Sequence, residues 1–116
     1  MLNQVRAIRQ QRRAERIEEL RRAVASLLAN RPGLEVWLFG SWARGDWDAL
    51  SDLDLIAVGP TKEAAEQLAE DLCRRVLADD VIGLTHTQWI ERRSSPDPLW
   101  RGIVRVAIPL AGMADR

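Results

Sequence analysis

The chain has 116 residues, 47% of them hydrophobic and 29% charged, and its seventeen basic and seventeen acidic side chains balance to a net charge of zero. That length suits one buried core and excludes a separate substrate domain. No apolar run approaches the roughly 20 residues that span a bilayer, the Arg-studded N-terminus is unlike a secretory signal, and a lone cysteine, Cys73, excludes an intramolecular disulfide, so no membrane association and a cytoplasmic location are expected.

Residues 3–29 read as one long helix, with Ile17, Leu20, Val24 and Leu27 forming an apolar seam along one face. Such a helix runs about 40 Å, more than so small a body can cover. Its first half, with Val5 and Ile8 followed by Arg12 and Arg13, has a thinner stripe and is expected to project. Asn30-Arg31-Pro32-Gly33 stops it. Val36–Phe39 is a strand apolar on both faces and therefore central. A short helix spans Ser41–Arg44 and is ended by Gly45, a loop covers Asp46–Ser51, and a second strand apolar on both faces is expected over Asp52–Val58. After the Gly59-Pro60 turn, Thr61 caps a helix whose Ala65, Leu68, Ala69, Leu72 and Val76 make a clean stripe, with Cys73 expected as a packed thiol beside Leu72. A third strand is expected over Asp80–Leu84, then a short helix around Gln88–Arg93, a break at Pro96-Asp97-Pro98, a helix over about Leu99–Val104, and a closing strand over Ala107–Leu110. The fold class is therefore α/β (α+β): a small mixed sheet packed with helices, behind a long N-terminal helix.

The charge is unevenly spread. Residues 1–31 hold eight Arg against three Glu, whereas residues 46–80 hold ten acids against Lys62, Arg74 and Arg75. An acidic middle argues against direct nucleic-acid binding there, because phosphate contacts need Lys and Arg. The basic helix reads most simply as a solvated face, with RNA or an acidic partner as the alternative.

Chemistry concentrates in Gly40-Ser41-Trp42-Ala43-Arg44-Gly45 and Ser51-Asp52-Leu53-Asp54-Leu55, with ten residues between Ser41 and Asp52. If the second strand starts at Asp52, Asp52 and Asp54 point to one face side by side. Two such carboxylates repel by about 4 kcal/mol at about 4 Å in an effective dielectric near 20. A hard divalent cation relieves that repulsion, and Mg²⁺ suits a site that also holds phosphates. Gly40 allows close backbone approach to an anion, and Ser41 can donate a hydrogen bond to it.

The string Gly-Ser-x-Ala-Arg-Gly-Asp-x-x-x-x-Ser-Asp-x-Asp-Leu resembles the signature of the polymerase-beta-like nucleotidyltransferase superfamily, most closely its minimal (MNT) branch. The motif covers sixteen residues, and the order of elements resembles that catalytic domain from about residue 33 onward. The resemblance implies a single minimal nucleotidyltransferase domain over residues 1–116, with an N-terminal helix (1–31) and a catalytic core (33–116). It implies Asp52, Asp54 and a third acid from the next strand as catalytic and Mg²⁺-holding residues. Asp80-Val81-Ile82-Gly83-Leu84-Thr85 matches the segment that supplies the third, so Asp80 is assigned, with Asp79 the alternative if the strand starts one residue earlier. Gly40, Ser41 and Arg44 are expected to bind the nucleotide, Arg44 by holding a phosphate or by pairing with an acid of the cluster.

Minimal members of that branch lack the added domains that bind larger acceptors, so the acceptor must be held by another chain or by a second copy. The family implies transfer of AMP from ATP to a hydroxyl of a helical HEPN partner, this chain acting as antitoxin to a toxin. The alternative is a catalytically silent binding protein that neutralises its partner by contact. The chain has no tyrosine, so a tyrosine acceptor cannot be its own. Of its five tryptophans, Trp37, Trp89 and Trp100 are expected in the core, while Trp42 and Trp47 flank the Gly-Ser turn and are candidates for base stacking or a partner's pocket. The single histidine, His86, is expected to make a loop hydrogen bond rather than bind metal.

Overall fold

The computed structural model describes residues 2–46 and 51–112. A long helix, α1 (Leu2–Leu28), leads into strand β1 (Glu35–Phe39) and a short helix, α2 (Gly40–Arg44). Strand β2 (Asp54–Gly59), helix α3 (Lys62–Arg75) and strand β3 (Asp80–Thr85) follow, then helices α4 (His86–Arg93) and α5 (Pro98–Val106) and strand β4 (Ile108–Ala111). The mixed sheet runs β3-β2-β1-β4, with β2 and β3 parallel and the other two pairs antiparallel. The two strands expected to be central, β1 and β2, are the inner pair.

Period-two alternation sorts the sheet's side chains onto two cores. Val36, Leu38, Leu55 and Ala57 pack with Ile17, Leu20 and Val24 of α1 and Leu68 and Leu72 of α3. Phe39, Ile56, Val58 and Leu84 face the other way and pack with Trp89, against which Trp37, Trp100 and Ile103 are half-buried. The expected seam of α1 is real from Ile17 onward, whereas Val5 and Ile8 are 55% and 50% exposed and the helix overshoots the body there. The guanidinium of Arg13 nevertheless turns inward. Its Nε and Nη2 each donate at 2.9 Å, to the carbonyls of Trp42 and Ala43, filling acceptors that the end of a helix as short as α2 leaves open.

Several expectations at element edges need correction. Strand β2 begins at Asp54, not Asp52, so Asp52 and Asp54 are not successive same-face residues of one strand. The cause is Leu53: its carbonyl accepts the backbone N–H groups of Asp79 and Asp80 at 2.9 and 3.3 Å, and its own N–H donates to Asp79 Oδ2 at 2.7 Å. That tie to the segment entering β3 fixes Leu53 outside the regular ladder of β2. Cys73 is exposed rather than packed, since one step along α3 rotates it about 100° away from the stripe that buries Leu72. Thr61 does cap α3, accepting from Ala64 N–H at 3.1 Å.

His86 is not in a loop but is the first residue of α4, which Thr85 and Gln88 start with a reciprocal capping box. Its ring bridges to the beginning of β1, at the end of the sheet remote from Asp54. Nε2 lies 2.6 Å from the Gly33 carbonyl and Nδ1 lies 3.0 Å from Glu35 Oε2. Glu35 is 1% exposed, a buried carboxylate inside an apolar strand.

Candidate active site

Parallel pairing of β2 and β3 sets Asp54 directly beside Asp80, while antiparallel pairing of β1 and β2 sets Asp54 opposite Phe39, the residue before Gly40. The Gly-Ser turn and two of the three expected acids therefore meet at one end of the sheet. By alternation Asp54 and Asp80 share the face of Ile56 and Ile82, the side covered by α4 and α5. Asp79 precedes the strand and its carboxylate is engaged with Leu53 N–H. Asp52 lies just outside β2 and is exposed.

The half-buried Asp54 is the electrostatic centre. Burial, followed by the negative charges of Asp80, Asp52 and Asp79, raises its pKa above the ordinary 3.8, and the positive charge of Arg44 partly opposes them. All the acids expected at the site thus act on one carboxylate. Among the described residues no three acids already stand as a ready-made metal-ligand set, so the cluster is an acidic pocket with Asp54 at its centre rather than a closed cage. The donor chemistry, carboxylate oxygens at mutually repelling positions, suits a hard cation such as Mg²⁺.

Gly40 has φ +76°, and a Cβ built there would run into Asp54 Oδ2. Glycine was expected here so that the backbone could approach an anion; the anion it admits is the chain's own Asp54. Arg44 is exposed and pairs with the equally exposed Asp46, Nε to Oδ1 at 3.3 Å, a contact weak enough to yield to a ligand. Trp42 is half-buried against the α1/α3 core, so it does not stand free at the turn as a stacking platform would. Trp47 lies outside the described residues.

Three participants were not anticipated. Arg13 braces α2 across 29 and 30 positions of sequence, a separation that no local pattern signals. Glu35 could have been noticed as a charge within Leu34-Glu35-Val36-Trp37-Leu38-Phe39. The third is α5: a groove of about 460 Å³ runs from Gly40, Arg44 and Asp54 to Leu99, Gly102 and Val106, so the last helix forms one wall of the site. A glycine within an apolar helical stripe was the available clue.

Replacing Asp80 by Asn is expected to abolish any metal-dependent activity of the cluster while leaving the melting temperature within a few degrees, because Asp80 is exposed. Asp79→Ala should do the converse, lowering the melting temperature by removing the acceptor for Leu53 N–H. A melting-curve and activity comparison of the two variants checks this, and the reverse pattern would make Asp79 the third acid.

A family model described as nucleotidyltransferase domain matches residues 17–93. Among curated proteins none matches the sequence. Two solved structures share the fold. One is a toxin–antitoxin with AMP-PNP, 23% identical, covering 81% of this chain and 74% of its own, with a TM-score of 0.52. The other is a candidate nucleotidyltransferase from Sulfolobus solfataricus, 20% identical, covering 87% of this chain and 85% of its own, with a TM-score of 0.55. At these identities the likeness is one of fold. Among the described residues no helix is long and apolar enough to cross a membrane.

Proposed function

Because the chain belongs to the nucleotidyltransferase domain family, we propose that it acts as a single minimal domain over residues 1–116 that transfers AMP from ATP to a hydroxyl group held by a partner protein. The observation that carries this reading is Asp54, flanked in register by Asp80 and packed against Gly40 of the phosphate turn. The acceptor oxygen attacks the α-phosphorus, the bond to pyrophosphate breaks, and the hydroxyl proton passes to a carboxylate of the cluster. Asp54 and Asp80 flank the transferring group, with Asp52 on the solvent side. Ser41 donates to a phosphate oxygen, and Arg44 leaves Asp46 to do the same. Asp52, Asp54 and Asp80 would hold Mg²⁺, which supplies charge stabilisation for the phosphoryl oxygens and pyrophosphate when bound.

The groove at the acids supports a partner-borne acceptor: at about 460 Å³ it has the size of a small-molecule site and not of a macromolecular one. The fold neighbour that is a toxin–antitoxin with AMP-PNP supports a toxin as the partner and an adenine nucleotide as the donor. The resemblance of the motif supports a HEPN protein as that toxin.

Mg²⁺ and ATP together are expected to raise the melting temperature, because a ligand at a hundred times its dissociation constant adds about 2.7 kcal/mol to the native state. Mg²⁺ alone should give a smaller rise by relieving the repulsion around Asp54. Melting curves with each component and with both provide the test; no shift with both would remove the nucleotide-site reading.

A further inference from the structure

Helix α5 contains a residue that its own fold does not require. Gly102 sits in the fifth of nine helical positions, and a Cβ built there would meet no atom within 4 Å. Glycine is the least favourable helix residue apart from proline, and alanine would fit this position with a gain in stability. Neither backbone conformation nor internal packing explains it. The space in front of Gly102 is the groove that ends at Gly40, Arg44 and Asp54.

The lining pairs two kinds of surface. The carboxylate of Asp54 and the guanidinium of Arg44 lie on the side of the sheet and α2, with Phe39 beside Asp54 in register, while the α5 side chains of Leu99, Ile103 and Val106 carry no hydrogen-bonding group. Leu99 is 67% exposed, so an apolar side chain is left open to water. A ligand matching this lining carries phosphates, for Arg44 and for a cation held by Asp54, together with a flat, largely apolar ring. The groove, about 460 Å³, falls within the range of small-molecule sites.

We propose that α5 is the nucleoside wall of the site: the ribose and base of the bound nucleoside triphosphate lie across Gly102, against Leu99, Ile103 and Val106. This rests on the nucleotide reading of the acids given above. The absence of a side chain at position 102 lets the ring approach the helix. The α5 residues that line the groove, Pro98, Leu99, Gly102, Ile103 and Val106, offer no hydrogen-bonding side chain, and Arg101 and Arg105 line the adjoining pocket beyond Gly102, so the wall holds a purine by contact and shape. A site that forms no hydrogen bonds to a ring edge discriminates poorly between analogues differing in edge groups, by about 10²-fold at most. Adenine and guanine nucleotides should therefore bind with affinities within about tenfold of one another.

The test compares dissociation constants of Mg²⁺ complexes of ATP, GTP and inorganic tripolyphosphate for the wild type, Gly102→Ala and Gly102→Leu. Tripolyphosphate reports on the acidic and phosphate end alone. Gly102→Ala should raise the melting temperature by about 4 °C and weaken ATP. Gly102→Leu should weaken ATP and GTP by at least about tenfold, as expected for a side chain occupying the ligand's space, and leave tripolyphosphate unchanged. If ATP binds Gly102→Leu as tightly as wild type, or if ATP and tripolyphosphate weaken together, the nucleoside does not lie on α5. A preference between ATP and GTP well beyond 10²-fold would show polar readout of the base and overturn the contact model. Wild-type protein that binds tripolyphosphate but gains nothing from the nucleoside would overturn this inference alone; protein that binds neither would overturn the nucleotide reading as well.

Discussion

Asp54→Asn is expected to lower nucleotidyl transfer by about 10³-fold while leaving the fold intact or more stable. The amide is nearly the size of the carboxylate, so its place beside Gly40 and Asp80 is kept. What it removes is a charge whose ionisation is opposed by burial and then by Asp80, Asp52 and Asp79. A carboxyl with a raised folded-state pKa binds its proton more tightly in the native than in the unfolded chain. Its stabilising contribution is therefore greatest below the unfolded value and is lost as pH rises through the folded one. The asparagine variant should escape that loss, so its melting temperature at neutral pH should equal or exceed that of the wild type. Cation binding has the opposite dependence, since it needs the ionised form of the metal-free site: affinity for Mg²⁺ should begin to fall with decreasing pH above the ordinary aspartate range. Intact mass of a partner protein co-expressed with this chain provides the decisive readout. The wild type should leave AMP on the partner, and Asp52→Asn with Asp54→Asn should leave none. A partner that is inhibited equally by both forms, and unmodified by either, would make the chain a binding protein that acts by contact.

His86→Ala should be strongly destabilising at the other end of the sheet, at about 2 kcal/mol, or a fall of roughly 8 °C in melting temperature. The ring nitrogen facing the Gly33 carbonyl has to donate, and the other nitrogen faces a carboxylate that is almost wholly shielded from water. Removing the ring takes the donor from the Gly33 carbonyl and the Nδ1 contact from the buried Glu35 side chain, and a buried polar group that loses a hydrogen-bond partner costs about 1–3 kcal/mol. Combining His86→Ala with Glu35→Gln should recover part of the loss, because the neutral amide has less hydration to forfeit. Thermal melts of the two single variants and the double variant measure the coupling. Additive losses would mean that the contact carries little energy.

The sequence was informative wherever the physics is local. Runs apolar on both faces placed β1 and β2 at the centre of the sheet, and the stripe of α3 predicted the burial of Ala65, Leu68, Leu72 and Val76. The same reasoning put Asp80 at the first position of β3. It failed where a distant group decides the outcome. The start of β2 was misplaced by two residues because Asp79, twenty-six positions away, holds Leu53. Trp42 looked exposed from its neighbours, yet the turn of α2 rolls it onto the core beneath α1. The contribution of α5 was invisible for a related reason. Its stripe predicts that one side is apolar, but only the folded chain shows that side divided between the Trp89 core and the open groove.

The pairing of Asp54 with Asp80 carries a kinetic consequence. Parallel neighbours need a crossover, here supplied by α3 between β2 and β3. Contacts that close a long loop form late and slowly relative to local ones. The acidic pocket is therefore assembled only after α3 has docked, and a chain halted before that step carries its aspartates apart, with little mutual repulsion and little attraction for a cation. Recovery of cation binding during refolding should therefore lag the helix formation seen by circular dichroism, making the site a reporter of a docked α3 rather than a nucleus for it.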